Sequence, residues 1–404
     1  MRIGIITNLY PPYARGGAEQ VVVRTVEELL TQGHDVFVVS SQPKNQGSGI
    51  VSDHTTTERV YRFFPKNVYY ILNDFKHRWI YRLIWHIVDA LCPCGARRVS
   101  EVLQEESPDV FITHNLKGIG LSIPRVIQAS RTPHIHIVHD LQLVYPSGLL
   151  FFGQEEIPWY RAIFYQLYQK VCRFQLGQPN LVIFPSTYLK DQYLKLGFFK
   201  KSKVIVMPNP APNFLPVVRE NKNDSILRLL FVGQLEDHKG IKFLLDAFRD
   251  IDVQTQLIIA GEGGRSGLVE RLAGQDKRIT YLGFVSLEQL LNCFSIVDAL
   301  VVPSLCYENS PTVIYESLQA GVPVLASDIG GVGELVENEK NGYLFRPGSK
   351  EDFLRVVKKL VQNSDRFDSS RDQIRGTVAP YALEKYTKEL IEKCQLLIDE
   401  KRKQ

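Results

Sequence analysis

The sequence has no strong excess of charge of either sign. Its 48 lysines and arginines nearly balance its 44 aspartates and glutamates, which leaves a formal net charge of +4 over 404 residues. Domains that bind nucleic acid normally carry a concentrated basic surface, and this surplus is too small and too spread out to form one. We therefore expect no nucleic acid among the partners.

Cysteine is also scarce, with six residues in the whole chain. Only Cys92 and Cys94 lie close together, and no second pair of Cys or His residues completes the four ligands of a zinc site. Scattered cysteines are typical of a protein kept in a reducing compartment. We predict reduced thiols and no metal site.

Long apolar runs are missing as well. The chain begins with MRIGIITNLY, and this apolar stretch stops at Thr7, which is too early for a secretory signal. No run approaches the roughly 20 apolar residues of a membrane-spanning helix. These absences predict a cytoplasmic protein.

Residues 59–86 leave open a peripheral contact with the cytoplasmic face of a membrane. This range holds nine aromatic residues and six lysines or arginines. Such a mixture either lies on an anionic membrane surface or covers the first domain, with its aromatic rings in the core and its cationic heads in solvent.

The chain does have short apolar runs, and they alternate with helical patterns. Its length suggests two domains. In the first half, runs typical of buried parallel strands lie at 3–7, 35–41, 109–115, 134–140 and 181–186. The alternation restarts and gives further strands at 227–233, 256–261, 279–284, 299–304 and 323–328. The pattern predicts an α/β protein with two Rossmann-like, doubly wound parallel sheets.

The domain boundaries follow from composition. Four prolines lie between Met207 and Val217, which favours a linker there. The last residues form an amphipathic helical pattern with a long apolar stripe, and such a helix must dock on another surface. We predict a first domain at 1–208, a linker at 209–226, a second domain at 227–380 and a C-terminal helix at 381–404.

The stretch YENSPTVIYE, residues 307–316, places two carboxylates around a predicted helix start. Ser310 suits the N-cap and Pro311 suits the first helical position, so the helix should run to about Ala320. The unpaired amides and the positive end of the dipole at such a terminus bind anions. Glu308 precedes this point, and Glu316 lies in the second turn, where its carboxylate can bind both hydroxyls of a ribose. The plain alternative is that both glutamates are solvated surface charges.

Other strand ends carry residues that suit a phosphate ligand. Open α/β sheets bind ligands outside the carboxyl ends of their strands, and glycines there allow the backbone to approach closely. The candidates are Lys239, His139, the glycine pairs at 16–17 and 330–331, and the cluster at 261–264. Each has a plain alternative: an exposed lysine, a buried and satisfied histidine, or ordinary turn glycines.

Together these motifs resemble the family-four glycosyltransferases, which have the GT-B fold. The matching stretches are, in order, PPYARGGAEQ, HD at 139–140, FVGQLEDHKG, LIIAGEG, YLGFVS, ENSPTVIYE and ASDIGGVGELV, and the match is poorest over about 45–105. The resemblance implies retaining transfer of a hexose-type sugar from a UDP- or GDP-sugar to a hydroxyl of a glycan or lipid-linked acceptor, without metal or cofactor. Polysaccharide biosynthesis at the cell envelope is the expected context. The resemblance also implies that 1–208 is the acceptor-side domain, that 227–380 is the nucleotide-sugar-binding domain, and that the final helix crosses back onto the first domain.

The resemblance implies roles for single residues. Lys239 would hold the diphosphate, Glu308 would lie on the side of the donor sugar, and His139 would face the transferred sugar. The donor site would comprise Gly16, Gly17, Gln234, Lys239, Gly261, Phe284, Val285, Asn309, Ser310, Pro311, Thr312, Val313 and Glu316. The family usually has Arg where this chain has Gln234, so a phosphate contact should be weaker by about 1–2 kcal/mol. Arg265 is a candidate to compensate.

Two other hypotheses use the same architecture. One is a nucleotide-sugar epimerase or a sugar phosphorylase; the glutamate pair argues against the epimerase, and the lack of a pyridoxal-phosphate lysine site argues against a glycogen-type phosphorylase. The other is a non-catalytic, glycosyltransferase-like partner protein, for which Gln234 is the only support.

Overall fold

The computed structural model describes residues 1–403 apart from 15, 48–49, 54–57, 215, 221–223 and 252. Arg15 of the PPYARGGAEQ stretch therefore lies outside the described residues. The chain divides into two units, and each is taken by itself. The first unit comprises Met1–Leu149, Ile157–Asn209 and Leu383–Gln404, and the second comprises Leu150–Glu156 and Pro210–Ala382.

The described part of the first unit contains an eight-stranded sheet. Strands β1 to β8 are Arg2–Ile6, Asp35–Ser41, Val51–Asp53, Arg59–Phe63, Val110–Thr113, His134–Ile137, Leu181–Phe184 and Lys203–Val206. Their order is β3-β4-β2-β1-β5-β6-β7-β8, and every pair is parallel except β3 with β4. Helices α1 to α6 are Gly17–Thr31, Trp79–Leu91, Cys94–Glu106, Ile123–Ala129, Trp159–Leu176 and Thr187–Lys195.

The second unit contains a six-stranded parallel sheet among its described residues. Strands β9 to β14 are Leu227–Val232, Thr255–Ala260, Ile279–Gly283, Ala299–Val302, Val324–Ser327 and Gly342–Phe345, in the order β11-β10-β9-β12-β13-β14. Helices α7 to α13 are Ile241–Phe248, Ser266–Gln275, Leu287–Ile296, Thr312–Gln319, Lys350–Gln362, Ser364–Ser369 and Arg371–Val378. The predicted class, two Rossmann-like parallel-sheet domains, is confirmed.

All ten predicted strands are present, each within one to three residues at its ends. The sequence reasoning missed β3, β4, β8 and β14. Strand β8 immediately precedes the proline-rich stretch and is a half-buried strand at the edge of the sheet, so its apolar run is short and offers little signal.

The final helix, α14, spans Leu383–Arg402 and packs in the first unit against α1. Its buried side chains join the core that β1 and α1 form, and they include Tyr386, Leu390, Cys394, Leu397 and Ile398. Two polar contacts fix its position: Gln32 Nε2 donates to Thr387 Oγ1 at 2.9 Å, and Lys203 pairs with Glu400 at 2.6 Å. The apolar stripe therefore has the docking surface that its length requires.

The predicted domain limits need one correction. Residues 150–156, which the prediction assigned to the first domain, belong to the second unit. The reason is backbone pairing: Phe152 N donates to Leu305 O and Tyr307 N donates to Leu150 O, both at 2.9 Å. Local sequence carries no trace of a pairing between segments so far apart in the chain.

From Pro210 onward, the expected linker, 209–226, is also packed within the second unit where it is described. Ala211 N donates to Tyr381 O at 2.7 Å, and Arg219 forms a charged contact with Asp298. Its prolines therefore mark an irregular but attached segment.

Residues 59–86 do not form one continuous element. They begin as strand β4, pass through a 3-10 turn at Ile71–Lys76 and end in α2. Tyr61, Phe63 and Trp85 are buried, whereas Trp79 and Tyr81 are exposed. The interpretation as a cover with its aromatics in the core is therefore right for only part of the range. Among the described residues, no helix is both long and apolar enough to cross a membrane.

Candidate functional site

The strand order of the second unit reverses between β9 and β12. The chain proceeds outward from β9 through β10 to β11, and then returns to add β12, β13 and β14 on the other side. In open α/β sheets, ligands bind outside the carboxyl ends of the strands at this switch point. The loops that follow β9 and β12 carry Lys239 and Glu308, so both predicted side chains lie at the expected edge.

Lys239 and Glu308 form an ion pair at this edge. Lys239 Nζ lies 2.6 Å from Glu308 Oε1, and the same oxygen accepts a hydrogen bond from Ser304 Oγ at 2.9 Å. The Lys239 side chain keeps 30% of its surface exposed, against 13% for Glu308. Ser304 and Lys239 therefore hold the same carboxylate oxygen, and Lys239 is the more exposed member of the pair.

The pair stabilises both charges. Burial by itself would lower the pKa of Lys239, but the attraction of Glu308 more than offsets it, and the pKa of Lys239 lies above its usual value. Burial likewise acts to raise the pKa of Glu308, but the charge of Lys239 and the hydrogen bonds from Lys239 and Ser304 hold it below its usual value. Both groups are therefore ionised at neutral pH. The neighbouring Cys306 is buried, which raises its pKa to about 12 and keeps it a thiol.

Two glycines let the loops come this close. Gly240 follows Lys239 with φ +75°, and a Cβ there would lie 1.8 Å from Pro303 O. Gly330, with φ +63°, would place a Cβ 2.0 Å from Glu308 O, and the next amide, Gly331 N, donates to that oxygen at 2.8 Å. Both positions therefore exclude other residues. The glycine pair at 330–331 positions the backbone of Glu308.

Helix α10 begins beside this pair, one residue later than predicted. Pro311 is the N-cap, with an extended ψ of 120°, and Thr312 is the first helical residue. The Ser310 hydroxyl lies 2.7 Å from the Tyr315 hydroxyl, and the predicted N-cap is wrong because Pro311 takes that position. Glu316 is buried in the second turn of the helix, and Asn309 is buried just before it.

The other predicted donor residues of the second unit lie along the same sheet edge. Gly261 follows β10, and its amide donates to Gly283 O at 2.7 Å. Phe284 and Val285 follow β11, and the Phe284 ring is 77% exposed. Gln234 follows β9 by two residues. Arg265, the proposed substitute for the missing arginine, pairs with Asp237 on the Lys239 loop at 2.5 Å, so it lies near this loop but is already engaged.

The glycines of the first unit lie at the start of α1. Gly16 is the N-cap and Gly17 is the first helical residue. The Glu19 side chain accepts from Gly16 N at 2.8 Å. The loop that carries them follows β1, and the strand order of this unit reverses between β1 and β5. They therefore occupy the position in the first sheet that Lys239 occupies in the second.

His139 follows β6 and lies in a buried cluster of imidazoles. Its Nε2 is 2.9 Å from His114 Nδ1. Burial lowers the pKa of His139 to about 4, and burial together with His139 and His136 holds that of His114 well below its usual value. Both rings are therefore neutral at neutral pH. Asp140 accepts from Gln142 N at 2.7 Å, and burial raises the pKa of Asp140 to about 6.

Three residues of these sites were missed by the sequence reasoning. Ser304 and Cys306 contact Glu308, and His114 contacts His139. Ser304 lies just after β12, and His114 lies directly after β5. Their position at the end of a strand was the signal that could have identified them. The sequence reasoning used that signal only for charged residues, glycines and His139.

Comparisons with known proteins agree with this arrangement. The family model described as Glycosyltransferase Family 4 matches residues 15–212, and the model described as Glycosyl transferases group 1 matches residues 217–377. Among curated proteins, a 42.6 kDa protein in the cps region of Klebsiella pneumoniae is 26% identical over 338 residues, which is 83% of this chain and 87% of that protein.

Solved structures are similar over almost the whole chain. Sucrose-phosphate synthase from Thermosynechococcus elongatus matches with a TM-score of 0.77 and 19% identity, covering 98% of this chain and 99% of its own. The Anabaena protein HepE, solved in complex with UDP, matches with a TM-score of 0.70 and 17% identity, covering 98% and 100%. At such identities the likeness shows the fold.

Proposed function

The chain belongs to glycosyltransferase family 4 and is a glycosyltransferase of the GT-B fold, and on this premise we propose that it transfers a hexose-type sugar from a UDP- or GDP-sugar. The acceptor in this proposal is a hydroxyl of a glycan or of a lipid-linked molecule. The transfer proceeds with retention at the anomeric carbon and without a metal ion. The observation that carries the proposal is the Lys239–Glu308 pair at the switch point of the second sheet. It combines an ammonium, a fixed carboxylate and the start of α10 within one loop cluster.

The proposed reaction breaks the bond between the anomeric carbon and the donor phosphate oxygen. Negative charge then develops on the leaving nucleoside diphosphate, and Lys239 and the first amides of α10 stabilise it electrostatically. The acceptor oxygen bonds to the anomeric carbon on the same face, and its proton passes to the departing phosphate oxygen. Neither a metal ion nor a protein base is needed for the balance of protons and charge in this route.

Glu308 and Glu316 have separate roles in this proposal. Glu308 keeps Lys239 charged and aimed, and its own charge favours the positive character that the sugar ring gains in the transition state. Glu316, in the second turn of α10, accepts hydrogen bonds from the two ribose hydroxyls of the donor. Phe284 and Val285 supply the backbone that contacts the base. His139, neutral because of burial, would act on the sugar as a hydrogen-bonding group.

UDP and GDP both stand in the proposal as donor nucleotides. HepE, a protein similar to this chain in fold, was solved with UDP and with UDP-glucose. Because that likeness shows the fold alone, only a measurement with both kinds of donor decides between the two bases.

A panel of donors tests the proposal. The purified protein is incubated with UDP- and GDP-sugars without acceptor, with and without a chelator, and release of the nucleoside diphosphate is measured. We expect slow hydrolysis of sugars on one base, unchanged by the chelator. Binding of no nucleotide-sugar in calorimetry would overturn the proposal in favour of a non-catalytic role, and an inverted product would overturn retention.

Substitutions assign the roles. Lys239→Ala should lower kcat by about 10²–10³-fold, because it removes a charge that acts on the leaving group. Glu316→Ala should mainly raise the KM for the donor. The matched controls are Lys340→Ala and Glu337→Ala, since this exposed ion pair lies before β14, at the opposite edge of the same sheet. Wild-type kinetics in both site variants would contradict the assignment.

A further inference from the structure

Two neighbouring helices of the first unit have their apolar side chains on the outside. Helix α2 exposes Trp79, Ile80, Leu83, Ile84, Ile87 and Leu91. Helix α5 exposes Trp159, Tyr160, Ile163, Leu167 and Phe174. More than half of the exposed large hydrophobic side chains among the described residues belong to these two helices. We call this the α2–α5 surface.

The inside faces of the same helices are partly polar. In α5, Gln169 and Gln175 are buried and donate to Val144 O at 3.3 Å and Ala90 O at 2.9 Å. In α2, Asp89 is buried and accepts from Gly118 N at 2.9 Å. A helix that borders water normally shows the opposite arrangement, with its apolar stripe inward and polar residues outward. The inversion indicates that the medium outside these helices is itself apolar.

The two exposed faces lie on neighbouring helices. The bond from Gln175 Nε2 to Ala90 O joins the C-terminal turns of α5 and α2, and further contacts lie between the helices. Spacing confirms that each face is a single stripe: Ile80, Ile84, Ile87 and Leu91 recur at three to four residues in α2. An apolar surface of this extent is a binding surface in most proteins.

The exposed charges on the two helices themselves are of one sign. Helix α5 contains no acidic residue, and the single acid of α2 is the buried Asp89. Arg78, Arg161 and Lys170 are exposed on or beside the two helices. A partner protein surface would normally supply acidic groups at defined points, but a bilayer of anionic lipids presents an apolar interior beneath a continuous negative surface, which matches both features.

Aromatic residues are exposed at the start of both helices, which is typical of surfaces that bind the interface of a bilayer. Trp79 and Trp159 are the first residues of their helices, and 72% and 75% of their surfaces are exposed. Tyr81 and Tyr160 are exposed beside them. Tryptophan and tyrosine favour the boundary between headgroups and acyl chains, since their rings are apolar at one end and polar at the other.

We propose that the α2–α5 surface docks on the face of an anionic lipid bilayer, with both helices lying in the plane of the interface and their apolar stripes reaching about 5–10 Å into it. This goes beyond the earlier suggestion for residues 59–86, because α5 supplies nearly half of the exposed apolar side chains and the β4 part of that range is buried. It concerns the first unit alone and does not depend on the transfer reaction.

Flotation with lipid vesicles tests the proposal. The full chain is mixed with vesicles of phosphatidylcholine alone and of phosphatidylcholine with phosphatidylglycerol. We expect binding to the anionic vesicles that weakens as salt rises from about 0.1 M to about 0.5 M. The double variant Ile84→Asp with Leu167→Asp should lower the partition coefficient at least about tenfold. Its control is Leu396→Asp, which changes a 57% exposed leucine on α14 of the same unit.

A second variant separates charge from apolar contact. Changing Arg78, Arg161 and Lys170 to Gln should lower binding to anionic vesicles by about a hundredfold, since each basic side chain near such a surface strengthens binding by roughly fivefold. The matched control changes three exposed lysines elsewhere on the unit, Lys200, Lys201 and Lys388, to Gln. Both substituted sets are exposed, so thermal melting should match the wild type.

Three results would overturn the proposal. The wild type could fail to bind either kind of vesicle, or the aspartate variant could bind as well as the wild type. Sedimentation could instead show a wild-type dimer that the aspartate variant converts to a monomer, with no vesicle binding, which would assign the surface to a second copy of the chain. If the protein hydrolyses its donor but does not bind vesicles, the proposed glycosyltransferase function stands and the proposed membrane docking is wrong.

Discussion

The ion pair of Lys239 and Glu308 joins two groups that would each be unfavourable at this position alone. Burial acts against both charges, and each charge offsets the burial of the other. Removing one partner therefore alters the chemistry of the one that remains. Ser304 adds a hydrogen bond to the carboxylate but none to the ammonium, so the carboxylate is the fixed member of the pair.

Glu308→Gln should therefore change the ionisation of Lys239. With the charge of residue 308 gone, burial is no longer offset, and the pKa of Lys239 should fall. Because the proposed mechanism needs the ammonium, the alkaline limb of the pH–kcat profile should move to lower pH in the variant. Glu337→Gln is the control, since it pairs with Lys340 at the opposite sheet edge. An alkaline limb at the same pH in Glu308→Gln and the wild type would show that the carboxylate does not set the state of Lys239.

His139 should contribute no ionisation to activity near neutral pH. Burial lowers its pKa to about 4, so the ring gains a proton only well below the usual value for histidine, about 6.5. The kcat profiles of the wild type and His139→Gln should differ in height but keep the same shape between about pH 5 and about pH 8. An acid limb near pH 6.5 that disappears in the variant would contradict this.

Loops rather than helices bring the candidate residues together. The turn after β9, the loop after β12 and the glycine pair after β13 meet around Glu308, and Gly240 and Gly330 make the two closest approaches. Residues 150–156 form backbone hydrogen bonds with the loop between β12 and α10. The Tyr307 hydroxyl of that loop also donates to Glu155 Oε1 at 2.8 Å. The position of Glu308 therefore depends on several segments far apart in the chain.

Gly330→Ala should impair both folding and activity. The left-handed backbone of Gly330 disfavours any Cβ by about 1–2 kcal/mol, and here the Cβ would also meet Glu308 O at 2.0 Å, displacing that loop. We expect the free energy of unfolding in urea to fall by more than the ~1–2 kcal/mol that the left-handed backbone alone would cost. We also expect a lower kcat.

The matched control for this change is Gly283→Ala. Gly283 has φ +66°, but nothing lies within 4 Å of its added Cβ. It should lose about 1–2 kcal/mol of stability and no more. Equal losses of stability and kcat in the two variants would show that the contact with Glu308 has no effect of its own.

The chain as a whole is not arranged as two consecutive halves. The first unit is assembled from three segments, and its last segment, α14, comes after the whole second sheet. Leu390 and Cys394 of α14 are fully buried in the core that β1 and α1 form. The stability of the first unit therefore depends on residues that follow the whole second sheet in the sequence.

Leu390→Ala should destabilise the first unit by about 2–5 kcal/mol, because it opens a cavity in that core. Leu396→Ala, on the exposed side of the same helix, should change stability by less than about 0.5 kcal/mol. Urea unfolding followed by tryptophan fluorescence suits the measurement, since all three tryptophans (Trp79, Trp85 and Trp159) lie in the first unit. Equal effects of the two substitutions would mean that α14 does not support this core.

Much of the fold and part of the site could be predicted without coordinates. Short apolar runs and the 3.6-residue period are local patterns, so ten strands and the amphipathic nature of α14 were visible in the sequence. Lys239, Glu308 and Glu316 were found because each lies in a motif with a turn or helix signal beside it. Ser304, Cys306 and His114 lack such a signal and matter only through a contact across the fold.

Local pattern thus established the elements, the family motifs and the chemical types of the candidate residues. The contacts among them required the folded chain, because 69 residues separate Lys239 from Glu308 and the order in which strands pair brings them together. The sequence likewise did not show that the apolar stripes of α2 and α5 face outward. A helical period shows that one face is apolar, but packing against neighbours determines whether that face is buried or exposed.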